Sequence, residues 1–134
     1  MTGSPVTVIT YGTFDVMHIG HVSILQRLAS LGSRLVVGVS TDEFNALKGK
    51  NCVYPHAQRA AIVAALRCVD EVFAEQGWAQ KRDDIVRLGA HIFGMGDDWL
   101  GRFDDLGDLC QVVYLPRTPG VSSTATREVL NSGG

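Results

Sequence analysis

The chain lacks a dominant charge, a cysteine framework and any long apolar run. Lysine and arginine number 12 against 14 aspartates and glutamates, a net charge of −2 over 134 residues. That balance gives no global attraction to nucleic acid or to an anionic membrane, so an anionic ligand must be held by local groups. Only three cysteines are present, Cys52, Cys68 and Cys110, scattered and without CxxC spacing. The expectation is reduced thiols in a cytoplasmic protein rather than a disulfide scaffold or a zinc ribbon. No stretch approaches the ~20 apolar residues that a membrane span requires. The start, "MTGSPVTVITYG", has neither the basic residues nor the apolar core of a secretion signal, so none is expected. Repeats and low-complexity tracts are absent, as are the GxGxxG and GxxxxGK[ST] phosphate-binding fingerprints.

What is there reads as one packed domain, residues 1–134. Apolar residues make up 46% and charged residues 19%, which excludes a disordered chain. A globule of this length buries roughly 65–70% of its unfolded surface. "VTVITY" (6–11) is a β-branched run that predicts a strand. Ile19, Val22, Ile24, Leu25, Leu28 and Leu31 then recur at helical spacing, and Gly32 suits the end of that helix. "RLVVGVS" (34–40) is the near-continuous apolar run of a strand buried on both faces. A helix over 56–69, a strand over 71–75, a helix over 80–89 and strands over 91–95 and 111–116 follow. A last helix is expected over 122–130, started by hydroxyl residues. A short helix before Gln111 is a weaker expectation. The alternation predicts a single Rossmann-like α/β domain, a five-stranded parallel sheet with helices on both faces. Ligand should then lie outside the carboxyl ends of the strands, where the winding reverses. Three polar, glycine-bearing segments follow strands: "GTFDVMHIGH", "MGDDW" and "RTPGVSST".

The first of these holds the most chemistry. His18 and His21 stand three apart where a strand gives way to a helix, so both fall on one face at the helix start. Free amides and the helix dipole favour an anion there, and imidazoles can stabilise charge growing on a phosphate. Gly20 would let a flat base approach the backbone, Gly12 would ease the turn out of the strand, and Thr13 offers a hydroxyl and an amide. A capping histidine beside a surface histidine explains the pair as well. Zinc would need a third or fourth ligand, and no cysteine or acid stands at a suitable spacing.

With these segments in hand, the chain resembles the nucleotidyltransferases marked by an HxGH box in the first βα loop, here "HIGH" (18–21), and an [IV]S[ST]T segment near the C-terminus, here "VSST" (121–124). "ITYGTFDVMHIGH", "VVGVSTDEFN", "RCVDEV", "MGDDW" and "VVYLPRTPGVSST", in that order, are similar to the cytidylyltransferases that act on glycerol 3-phosphate. The resemblance implies CTP plus sn-glycerol 3-phosphate giving CDP-glycerol and diphosphate, by direct attack on the α-phosphorus. It implies catalytic roles for His18, His21, Lys48 and Arg117. It places nucleotide contacts at Thr13, Phe14, His18, Gly20, His21, Lys50, Asp98, Arg117, Thr118, Ser122, Ser123 and Thr124. Acceptor contacts fall to Lys48, Arg67 and Lys81, and supporting roles to Asp15, Arg59 and Asp70. It further implies a divalent cation, Mg²⁺, bound with the nucleotide phosphates and touched by Asp15, no all-protein metal site, a homodimer, and a product used for glycerol-phosphate polymers of the cell surface. Taken singly, Lys48 and Lys50 would pass as solvated charges and "RTPGVSST" as a turn with a cap. Two other readings stand beside this one: the same chemistry on another polyol phosphate or with ATP, and a nucleotide-binding regulator without catalysis.

Overall fold

The computed structural model describes residues 5–116. Five strands, β1 (Thr7–Gly12), β2 (Arg34–Ser40), β3 (Glu71–Glu75), β4 (Ile92–Gly96) and β5 (Gln111–Leu115), form one sheet in the order β3-β2-β1-β4-β5. All pairs are parallel. Winding runs outward from β1 to β3, then crosses back to β4, so the reversal lies between β1 and β4. The helices are α1 (Ile19–Ala29), α2 (Asp42–Leu47), α3 (His56–Ala64) and α4 (Gln80–Leu88). The expected α/β architecture is the observed one.

Strand side chains alternate between two cores. Val8, Leu35, Val37 and Val39 pack with Leu25 and Leu28 of α1 and Val63 of α3 on one face. Ile9, Tyr11, Phe93 and Met95 pack with Ile85 of α4, Phe103 and Leu106 on the other. Burial on both faces is why the central strands read as continuous apolar runs. Gly94 lets α1 lie close to β4, since a Cβ there would clash with Leu28 Cδ2.

Two helix ends are corrected, and α2 was not anticipated. The helix expected over 56–69 stops at Ala64, and the chain continues in tight turns that press Leu66, Cys68 and Val69 onto the first core. Tertiary burial there overrides an alanine- and leucine-rich propensity. α1 ends at Ala29, and Gly32 serves close packing instead, because a Cβ would fall 2.5 Å from the Val6 carbonyl oxygen. α2, six residues started by the Thr41 side chain accepting from the Phe44 amide, is too short to leave a periodic signal. The stretch before Gln111 holds two 3₁₀ turns, Asp97–Trp99 and Asp104–Asp108. The helix expected over 122–130 lies outside the described residues.

Candidate active site

A cavity of about 570 Å³ opens at the carboxyl ends of β1 and β4, where the winding reverses. It is lined from β1 and its loop by Tyr11, Thr13, Phe14 and Asp15, from the start of α1 by His21, and from β4 and the turn after it by Met95, Gly96, Asp98 and Trp99.

The histidines are built into the start of α1. His18 is the N-cap, and its Nδ1 accepts from the Gly20 amide at 2.9 Å. The His21 Nδ1 accepts in return from the His18 amide at 3.2 Å. This is a reciprocal capping box, usually made by Ser or Thr with Glu or Gln, here made by two imidazoles. Each neutral ring therefore carries its proton on Nε2, the donor form a phosphate oxygen requires. The rings stack with centroids 4.1 Å apart, and Phe14 meets His21 edge-on. The cap sets the tautomer and orientation of both rings.

The loop before the box is strained. Phe14 and Val16 have φ of 53° and 49°, a left-handed conformation that costs an L-residue about 1–2 kcal/mol. Packing holds Phe14 there. It is buried, and its ring occupies the space a side chain at Gly12 would need, 2.7 Å from a Cβ.

Arg59 anchors this edge of the sheet from a fully buried position. Its guanidinium donates to the carbonyls of Thr13, Ser40 and Tyr54 at 2.9, 2.8 and 2.9 Å, and to Asp42 at 2.8 Å. Asp15 accepts from the Val53 and Tyr54 amides at 2.7 and 3.0 Å. Both side chains therefore secure the segment that follows Lys48 and Lys50. Those two lysines line the cavity. The Lys48 ammonium lies over the rings of Phe44 and Trp78, at 4.3 and 5.5 Å. Partial burial, with help from Lys50 and Lys81, pulls its pKa below the ordinary lysine value, against the pull of Glu75.

Lys81 lines the cavity although only 4% exposed. Its ammonium sits 2.5 Å from Glu75 Oε2, over the rings of Tyr11, Trp78 and Phe103 at 4.6, 4.9 and 5.6 Å. The Tyr11 hydroxyl donates to Asp84 at 2.7 Å, and burial with that carboxylate raises its pKa far above the phenol range.

His18, Gly20 and Arg59 stand behind the lining of this cavity rather than in it, and Arg67 and Asp70 lie at the other end of the sheet. Arg67 is exposed in the turn that leads into β3, at the amino end of the sheet. Asp70 is at the same end, where its carboxylate accepts from the Leu35 amide at 2.7 Å and bridges β2 to the start of β3. The turn before β3 cannot reach the opposite edge within one chain. Gly20 contributes its amide to the histidine cap. Arg117, Thr118, Ser122, Ser123 and Thr124 lie outside the described residues, while β5 ends at Leu115 on the cavity edge of the sheet. Glu75, Trp78 and Cys52 line the cavity and were not anticipated. "EQGW", polar residues and a tryptophan where a strand ends, was the available signal. Among the described residues, no group of three or more His, Cys, Asp or Glu is placed to hold a metal, and no helix is long and apolar enough to cross a membrane.

A doubly wound parallel sheet with a histidine-capped first helix at its switch point defines a nucleotide-binding α/β domain. Residues 9–129 match the family model described as Cytidylyltransferase-like, and the chain belongs to that family. It is 51% identical over 121 residues to a glycerol-3-phosphate cytidylyltransferase of Bacillus subtilis, covering 90% of this chain and 94% of that one. It is 46% identical over 123 residues to a glycerol-3-phosphate cytidylyltransferase of Staphylococcus aureus, covering 92% and 93%. A solved structure of a lipopolysaccharide core biosynthesis protein from Thermoplasma volcanium superposes with a TM-score of 0.73 at 22% identity, over 86% of this chain and 99% of that one, a likeness of fold.

Proposed function

We propose that the chain transfers a cytidylyl group from CTP to sn-glycerol 3-phosphate, giving CDP-glycerol and diphosphate. The observation that supports this most is the near full-length match, at 46–51% identity, to enzymes of that activity, in a chain whose histidine box is assembled at the sheet's switch point. An oxygen of the acceptor phosphate attacks the α-phosphorus. The bond from that phosphorus to the bridging oxygen of the β-phosphate breaks, and diphosphate leaves with its electron pair. No activated Ser or Cys nucleophile is needed, and catalysis rests on positioning and charge stabilisation. The Nε2–H groups of His18 and His21 donate to the α-phosphate oxygens as charge builds. Lys48 and Lys50 bring cations to the acceptor and triphosphate, and Lys81 belongs to the acceptor side. Arg117, Thr118 and the hydroxyls of Ser122, Ser123 and Thr124 complete the triphosphate cradle in this reading.

A divalent cation, Mg²⁺, fits the donor set, because such an ion enters on substrate phosphates with one or two carboxylates. Asp15, in the cavity wall, is the carboxylate for it. The ion would offset phosphate charge. The same reading places the enzyme in the cytoplasm as a homodimer. The test is diphosphate release with each nucleoside triphosphate and a set of polyol phosphates. CTP with glycerol 3-phosphate should be fastest, activity should vanish in excess EDTA, and sedimentation should give a dimer. Faster release from ATP would overturn the assignment of the base.

A further inference from the structure

The wall of the cavity away from the histidines contains a charge pair that binding phosphate does not explain. Glu75 and Lys81 are 3% and 4% exposed, yet both line the cavity. Their charged atoms are 2.5 Å apart, so the pair is close to neutral as a unit. Moving Lys81 onto a phosphate would leave a buried carboxylate without its partner, which is strongly unfavourable. The charge available to a phosphate lies instead on Lys48 and Lys50, which make no ion pair among the described residues. Lys48 and Lys81 both lie over the ring of Trp78, which makes the two lysines, Glu75 and the indole one cluster.

A carboxylate has about four lone-pair positions, and one ammonium does not use them all. Neutral hydroxyl groups are natural donors to the remainder. Tyr11, Trp78 and Phe103 hold Lys81 in place, so the carboxylate is presented in a fixed position. A second anion on the acceptor would meet Glu75 in a setting of low dielectric, where like charges repel strongly. We propose that Glu75, held by Lys81, is a specificity-determining residue: it accepts hydrogen bonds from the hydroxyl groups of the acceptor and rejects acceptors that carry a second anionic group. This rests on the acceptor being a polyol phosphate, as read above.

The test uses three acceptors: glycerol 3-phosphate, propane-1,2-diol 1-phosphate, which lacks the terminal hydroxyl, and 3-phosphoglycerate, which carries a carboxylate there. They are compared in the wild-type protein, in Glu75→Gln, and in Glu75→Gln with Lys81→Gln, a neutral pair that strands no buried charge. CTP affinity, measured by calorimetry without acceptor, reports on the fold. Wild type should prefer glycerol 3-phosphate over each analogue by about 10-fold or more in kcat/KM. In the variants KM for glycerol 3-phosphate should rise by about 10-fold, CTP affinity should hold within about 2-fold, and the preference over propane-1,2-diol 1-phosphate should collapse. Glu75→Gln alone should also gain on 3-phosphoglycerate, because the Lys81 charge is no longer neutralised. Equal use of the three acceptors by wild type, or an unchanged preference in a variant that binds CTP, overturns the proposal while leaving the reaction intact. A wild type that binds CTP but transfers to none of them overturns the substrate reading and this inference with it.

Discussion

The two ends of the sheet use the same residue types for different ends. At the amino end, His91 Nδ1 accepts from the Thr7 amide at 3.0 Å, and Asp70 accepts from the Leu35 amide. These side chains tie strand starts together. At the carboxyl end, His21 Nδ1 also accepts a backbone amide, and Asp15 accepts two. There the bonds secure a loop with left-handed Phe14 and Val16, beside the fully buried Arg59 and a cavity whose wall includes the buried Glu75 and Lys81. Polar groups at the amino end satisfy ladders that must end somewhere. Those at the carboxyl end hold unfavourable backbone and buried charge in fixed positions, which a site needs and a fold alone does not.

The sharpest test of that contrast is Arg59→Met. It strands three carbonyls and Asp42, and stability should fall by about 3–5 kcal/mol in urea denaturation. A loss below about 1 kcal/mol would mean that the carboxyl-end loops do not depend on the buried cation. Next is His21→Ala. kcat should fall about 10²–10³-fold with CTP affinity nearly unchanged, while loss of the reciprocal cap removes about 1 kcal/mol of stability. His18→Asn, which retains a capping side chain, should keep the stability and still lose turnover. If CTP binding falls in step with activity, the histidines are ground-state ligands.

His91→Ala should invert that pattern. Stability should drop by about 1 kcal/mol because the Thr7 amide loses its acceptor, with kcat unchanged in steady-state assay. A rate loss comparable to that of His21→Ala would erase the distinction between the ends. The smallest effect concerns pH. Lys48 has a lowered pKa through partial burial and its neighbouring lysines, so it loses its charge earlier than an ordinary lysine as pH rises. Acceptor KM should therefore climb on the alkaline side before other lysines titrate. Lys48→Arg should flatten that limb, since arginine keeps its charge throughout.

Much was legible without coordinates, because it depends on local pattern. β-branched runs alternating with helical spacing determined a parallel α/β sheet, and His18 and His21 at a strand-to-helix junction marked the end of the sheet where the cavity opens. The glycine after α4, Gly89, adopts the left-handed conformation expected of it, at φ 64°. Tertiary structure decided what depends on residues distant in sequence. It set the histidine tautomers through a reciprocal cap. It buried Arg59 under three loops and placed Glu75 against Lys81 within an aromatic cage. It also sent Arg67 and Asp70 to the opposite edge from the cavity. The physical reason is that a strand's sequence records which faces are buried. Which strand end meets which loop follows from winding order and crossover hand, and no single segment carries that information.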